Sequence, residues 1–598
     1  MAENITEYSS SNPTSDSELD VRHSDPRHSD DSANRTIFWW HIATLVIAGI
    51  ILIWFGRNQW FSRDEWDPIA NRSVFGTGVH GLLAPHNEHW STFGILIYRA
   101  HLALFGLRTY LPLMFVFVGV HLIAAHLLWR VMRRAGADAV IATALAAVFA
   151  LVGTIGADML YAWNVTFSGS LACGFGALLV IPSHSGWSRR YFSVWLLLLA
   201  ALVFSGVGVV VMAVAVLFAG WSLGWRDGVR VASIPAFVYL VWLFLWGSEG
   251  VDRGIKSDAV KHIPETIWNS MTNVFDLITG WSGIGAVLVV LLLWFVIKDL
   301  RIPTRPKMLA VSCAAGAPLF FVSTSFRRYG ALGFLGLPDD AWIQMPRYSY
   351  VAFALLLPLV ALAITQNFSR SRSQVAVLLG IVGLVLIHQV VVLNKAEAET
   401  ARFDQEIREH VVAVATLLRA DAPRATNRPL AYCCAYLDVH TIKKLDQNGD
   451  LPDIVPSQHA IDAARTHLQV TVTAESDEPS GSPAVMSAVS EVAIKDIDGQ
   501  CSEVLTGSVY PVIRLSTVGR SKIIIRSSVG GEIALWLVSA QDTATAVVPL
   551  TTFAPGGTAL AATIPKDDPA TLKIAASGNL LVRLPLNARI EFCHAVIG

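Results

Sequence analysis

The chain has 598 residues, 53% of them hydrophobic and only 15% charged, with a formal net charge of −1. A composition this apolar excludes an ordinary soluble globular protein, and a charge this close to zero offers nothing to a nucleic-acid backbone. Membrane lipids are the expected surroundings, and nineteen tryptophans suit long membrane interfaces, where indoles sit at headgroup depth.

Residues 1–35 are polar and rich in Ser, Asp and Asn; they cannot bury enough surface to fold and are expected to form a disordered cytoplasmic N-terminus. The first apolar run, 37–56, begins too far along the chain for a simple signal peptide and has no small-residue cleavage site after it. It therefore predicts a retained membrane helix. Further runs of roughly the length that crosses about 30 Å of hydrocarbon follow at 109–129, 138–157, 165–182, 191–205, 208–224, 231–247, 281–297, 308–323, 348–365 and 374–393. The prediction is thus a polytopic α-helical membrane protein of about 11 transmembrane helices. The pair between Tyr191 and Gly224 consists of two short halves separated by Ser205-Gly206.

Charge placement orients the bundle. With the N-terminus cytoplasmic, the inner loops carry Arg130, Arg133 and Arg134, then Arg189 and Arg190, then Arg226 and Arg230. The next two carry Lys298, Arg301, Arg305 and Lys307, then Arg370 and Arg372, so every inner loop is basic. The predicted location is the cell (plasma or inner) membrane, multi-pass. The outer side receives 57–108, 158–164, 248–280, 324–347 and the tail beyond 394. Within the first outer loop, 91–107 is apolar but interrupted by Arg99 and His101, which suits an interfacial helix.

The tail changes character. A charged connector (396–429) leads to alternating stretches such as Lys522–Arg526, Ile533–Val538 and Leu580–Leu584, predicting a C-terminal extracytoplasmic β-rich, sandwich-like domain over 430–598. Cys433, Cys434, Cys501 and Cys593 lie there and suggest one or two disulfides. Adjacent Cys433 and Cys434 are poor partners for each other, so each is expected to pair with Cys501 or Cys593. Cys173 and Cys313 fall inside spans and read as packing residues.

Chemistry concentrates in the first outer loop. Arg63-Asp64-Glu65-Trp66-Asp67 places three carboxylates directly after the first helix, where such a group acts as a general base or holds a divalent metal ion. The bland alternative is a set of loop charges, with Arg63 pairing Asp67. His86, Glu88 and His89 suit polar contacts to a sugar better than a metal, because the spacing is not that of zinc proteases. Asp158 would add a second carboxylate facing this loop. Arg327, Arg328 and Arg347 defy the inside-positive trend and match phosphate oxygens. His121 and His126, within the second span, read as core histidines.

Taken together, residues 37–395 resemble the GT-C glycosyltransferase superfamily. The likeness lies in the Asp64-Glu65 pair after helix one, and in the run His86-Asn87-Glu88-His89 through Tyr98 and Phe105-Gly106. His121 with Arg133-Arg134 and the entry Pro346-Arg347-Tyr348 extend it. The acidic pair is Asp-Glu rather than two aspartates. The resemblance implies transfer of a sugar from a polyprenyl-phosphate donor to a glycan, lipid or protein acceptor on the extracytoplasmic face, in cell-wall or surface-polysaccharide assembly. It implies Asp64 as the base, with Glu65 its neighbour or substitute. Arg347, helped by Arg327 or Arg328, would hold the carrier phosphate, and the His86–His89 run would line the sugar site. The competing readings are a lipid-linked glycan flippase, against which the spans carry few carboxylates and no repeat, and a non-enzymatic assembly protein.

Overall fold

A computed structural model describes residues 26–72, 78–249, 259–299, 303–328, 345–368, 371–427, 437–473, 479–490, 492–507, 511–538 and 560–597. The N-terminal half contains α1 (Pro26–Gly56), α2 (His80–Leu83), α3 (Thr92–Phe105), α4 (Leu111–Arg134), α5 (Ala139–Ala150), α6 (Gly156–Met159) and α7 (Val165–Val180). There follow α8 (Arg190–Phe204), α9 (Val207–Leu223), α10 (Trp225–Leu245), α11 (Ala259–Thr279), α12 (Ile284–Asp299), α13 (Arg305–Arg328), α14 (Pro346–Phe368) and α15 (Arg372–Arg419). Of the residues 1–35 expected to be disordered, 1–25 lie outside those described, and 26–35 instead form the first turns of α1.

Each of the eleven expected spans lies on a helix, but the count changes. Among the described residues eight helical segments are long and apolar enough to cross a membrane, or nine if the bent pair of α11 and α12 is one span. These two helices meet at 117°, at Gly280 and Gly283, both with positive φ, and α11 occupies most of the segment expected as an outer loop. The other shortfall is α8 and α9. At 15 and 17 residues they reach about 22 and 26 Å, less than the hydrocarbon thickness. They run antiparallel: Tyr191, at the start of α8, donates to Asp227 at 2.6 Å, just beyond the end of α9. The reversal at Ser205-Gly206 is tight, since a β-carbon on Gly208 would lie 2.5 Å from the Ala201 carbonyl. A hydropathy sum sees two apolar runs there and not their length limit.

In the bundle, α5 is apolar all round and buried, packed against α1, α4, α14 and α15. Its start is capped by Asp138, whose carboxylate accepts the Val140 and Ile141 N–H groups at 2.8 and 3.3 Å. Fourteen-residue α3 is too short to span, as an interfacial helix should be. The last helix, α15, opens on a Ser371 cap and runs 48 residues, about 72 Å. The predicted final span and the charged connector are therefore one continuous rod, and its far half carries the chain away from the apolar bundle.

That rod leads to α16 (Val439–Gln447), α17 (Gln458–Gln469) and thirteen strands. They are β1 (Val470–Thr473), β2 (Ser480–Gly481), β3 (Ala484–Ala488), β4 (Val492–Asp496), β5 (Cys501–Thr506), β6 (Val512–Thr517) and β7 (Ser521–Ser527). Beyond them lie β8 (Gly531–Val538), β9 (Leu560–Ile564), β10 (Ala570–Ile574), β11 (Gly578–Arg583), β12 (Arg589–Cys593) and β13 (Ala595–Ile597). One sheet runs β1-β10-β7-β12-β5-β4 with β2 on β7, the other β13-β3-β6-β11-β8-β9, antiparallel except for β13 with β3. Inward residues of both sheets, among them Ile513, Leu515, Ile523, Leu535, Leu572 and Phe592, share one core, which makes the domain a sandwich.

A disulfide is present in the C-terminal domain as expected, but the expected pairing is overturned. Cys501 bonds Cys593, because β5 and β12 are antiparallel neighbours whose register sets these two residues opposite each other, Cα atoms 3.9 Å apart. Cys433 and Cys434 lie outside the described residues.

Candidate active site

The chain leaves α1 at Gly56 and turns sharply at Arg63–Glu65. Ser62 is extended, and its N–H donates to Glu65 Oε2 at 2.8 Å, closing a capping box. Arg63 has φ 51°, in the left-handed region that costs a side-chain-bearing residue about 1–2 kcal/mol. This turn puts neighbouring carboxylates into different surroundings.

Glu65 is fully buried and accepts from the Tyr98 hydroxyl, from the Tyr110 hydroxyl at 2.6 Å and from Ser62. Tyr110 in turn accepts the Ala162 N–H at 2.7 Å. Burial pushes the Glu65 carboxyl up to about 8 although the tyrosines and Ser62 act in the opposite direction. Burial, with Glu65 beside it, also pushes the Tyr98 phenol up.

Asp64 is only half-buried, and its charge faces the Tyr161 phenol and the Arg347 guanidinium. Burial first, and then Asp64 and Glu65, raise the Tyr161 phenol above its ordinary range. Arg63 lies 5.9 Å from the centre of the Tyr161 ring. Arg347, in the first turn of α14, stands 5.5 Å from the Tyr348 ring centre, and Asp158 lies beside it. Asp158, in α6, accepts the Asn164 side-chain amide on its backbone carbonyl at 2.6 Å, and burial raises its carboxyl although Arg347 and Arg63 act in the opposite direction. A small cleft between Asp158, Asn164, Arg347, Phe117, Phe167 and Tyr350 adjoins this group.

The second constellation abuts the first. Glu88 pairs with Arg328, and His89 Nε2 is 3.8 Å from Glu88. Burial lowers the His89 imidazole to about 4; Glu88 opposes this, while Arg328, His86 and Arg347 reinforce it. His89 is consequently neutral at pH 7. His86 is buried, its Nδ1 2.6 Å from Asp67 Oδ2, and Arg72 Nε approaches the same oxygen at 2.7 Å. Arg72 also donates to the carbonyls of Ala84 and Pro85, knotting 67–72 to 84–86. Burial alone would raise the Asp67 carboxyl, but His86 and Arg72 hold it below the usual range. The cation paired with Asp67 is Arg72 and not Arg63, because the short helical turn at Asp67–Asn71 brings residue 72 back.

Asp64, Asp158 and Arg347 thus share one electrostatic neighbourhood, with Glu88, His89 and Arg328 at its edge. Glu65 and His86 sit behind it, engaged by protein partners. The side chain of Arg327 lies outside the described residues. His121, between Tyr350 at 2.9 Å and the Ala150 carbonyl at 3.2 Å, is a bonded core histidine. Arg63, read in the sequence as a partner for Asp67, joins the neighbourhood instead, and Tyr161 joins it without having stood out in the sequence; its only signal was proximity in the chain to Asp158. Among the described residues the one trio close enough to share a metal ion is Cys501, Glu591 and Cys593, two of which are disulfide-bonded. The carboxylates around Asp64 form no such cluster.

No protein-family model matches the chain, and no curated protein matches it. Among solved structures, the oligosaccharyltransferase of Archaeoglobus fulgidus, tethered through a disulfide to an acceptor peptide containing the NVT sequon, is similar with 16% identity and a TM-score of 0.32. The match covers 63% of this chain and 57% of that one.

Proposed function

We propose that this protein is a GT-C-type glycosyltransferase. It moves a sugar from a polyprenyl-phosphate donor to a glycan, lipid or protein acceptor on the extracytoplasmic face of the cell membrane, in cell-wall or surface-polysaccharide assembly. The observation that carries the reading is that Asp64, a half-exposed carboxylate, and Asp158 both act on Arg347, a guanidinium in the first turn of a membrane helix.

In this mechanism Asp64 takes the proton of the acceptor hydroxyl as that oxygen bonds the anomeric carbon. The bond from that carbon to the carrier phosphate breaks, and its electron pair leaves on the phosphate oxygen. Arg347, helped by Arg328 or Arg327, offsets the charge that develops there. Asp158 adds a second negative charge beside the Arg347 guanidinium. Glu88 and His89 offer hydrogen bonds to sugar hydroxyls, whereas Glu65 and His86 hold the loop in shape.

The test is turnover by purified protein in nanodiscs with a panel of polyprenyl-phosphate sugars. Transfer that is lost in Asp64→Asn and donor binding that weakens in Arg347→Ala is the expected result. Binding of lipid-linked species without turnover on any donor would sink the enzymatic reading and favour a flippase.

A further inference from the structure

We propose that Asp404 is a positioning residue that clamps the turn presenting Asp64, so that the C-terminal rod and domain set the geometry of the catalytic loop. The inference rests on the role proposed above for Asp64.

Asp404 lies on the far half of α15, beyond its apolar stretch, and is 5% exposed. Its Oδ2 accepts the Trp60 N–H at 3.1 Å, and the Ser62 side chain lies close enough to favour its charged form. Those are the last residues before Arg63, whose left-handed backbone persists only while its surroundings hold it. Glu65 holds that turn from inside through the Ser62 N–H, and Asp404 holds it from the rod. Among the described residues Asp404 forms no ion pair, so a buried carboxylate spends its acceptors on this loop. Burying such a group is costly unless its bonds are needed.

A second tie reaches the same place. The Trp60 indole N–H donates to the Leu107 carbonyl at 2.8 Å, and the Leu107 N–H donates to the Asp450 carbonyl at 2.7 Å. Arg108 adds bonds to the Gly449 carbonyl at 2.8 and 2.5 Å. The approach requires Gly106, which has φ 61° and where a β-carbon would stand 2.8 Å from the Asp450 oxygen. Two segments far along the chain therefore grip the loop on either side of its acidic turn.

The experiment uses the full chain in nanodiscs and compares wild type with Asp404→Leu, Asp404→Asn and Glu399→Gln, the last removing an exposed carboxylate from the same helix. Two quantities are read: amide exchange over 58–68, and single-turnover transfer alongside donor Kd. We expect Asp404→Leu to speed exchange at Trp60–Glu65 about tenfold or more and to slow transfer about 100-fold, with donor Kd and exchange in α4 and α7 unchanged. Asp404→Asn, which keeps an acceptor for the Trp60 N–H, should recover both to within a few-fold, and Glu399→Gln should match wild type. Unchanged exchange and transfer in Asp404→Leu would overturn the clamp. So would a general rise in exchange that Asp404→Asn does not rescue. If exchange responds locally while wild type transfers no sugar, the clamp stands and the glycosyltransferase reading fails.

Discussion

Asp64 and Glu65 are adjacent, both acidic, and opposite in circumstance. One is half-exposed and faces a guanidinium; the other is buried beneath two tyrosines and a backbone N–H. The left-handed Arg63 turn separates them, and each side chain is then defined by what packs over it rather than by its chemistry. A carboxylate with access to solvent and a cation for its anionic form can exchange protons with a substrate. A carboxylate whose acceptors are all taken stabilises a shape.

The sharpest test of that contrast is at Asp64 itself. Asp64→Asn is predicted to cut transfer by about 10²–10⁴-fold, the range for loss of a general base, with thermal stability unchanged. A retained rate in a folded variant would remove the distinction. Next comes Arg347→Ala, predicted to weaken donor binding by about 10- to 150-fold, the equivalent of one or two charge-assisted hydrogen bonds, as measured by titration of the lipid-linked sugar.

At Glu65 the effect should fall on stability. Glu65→Ala strands Tyr98, Tyr110 and the Ser62 N–H and is predicted to cost about 1–3 kcal/mol in denaturation, with Glu65→Gln much milder. The pH dependence has a definite sign. Burial pushes the folded carboxyl up to about 8 from its ordinary value of about 4.5, so its contribution is complete below about pH 4.5 and is lost as pH rises through 8. Melting curves of Glu65→Gln should therefore decline less between pH 5 and 8 than those of wild type. The smallest effect is expected at His89: already neutral across that range, it should change sugar KM by about 2- to 10-fold in His89→Gln without altering the pH profile.

The membrane helices were readable because hydropathy is a property of each segment alone, and the strands Lys522–Arg526 and Leu580–Leu584 were readable from alternation. The acidic turn also announced itself, since three carboxylates after an apolar run are a local pattern. Its division was not readable. Nothing near Glu65 in the chain indicates that Tyr98 and Tyr110 will close over it, or that Asp404, one charge among many in a charged helix, will reach Trp60. Tyr161 was missed for the same reason, being ordinary until Asp64 is placed beside it.

Segment length and charge were enough to establish a multi-pass helical protein with a β-rich C-terminal domain, because transfer into lipid and strand alternation are summed residue by residue. Tertiary structure decided the rest: that Cys501 finds Cys593 across paired strands, and that of two neighbouring acids one is open and the other sealed. Each of these depends on groups tens or hundreds of residues apart, whose meeting is set by packing and register and leaves no trace in local composition.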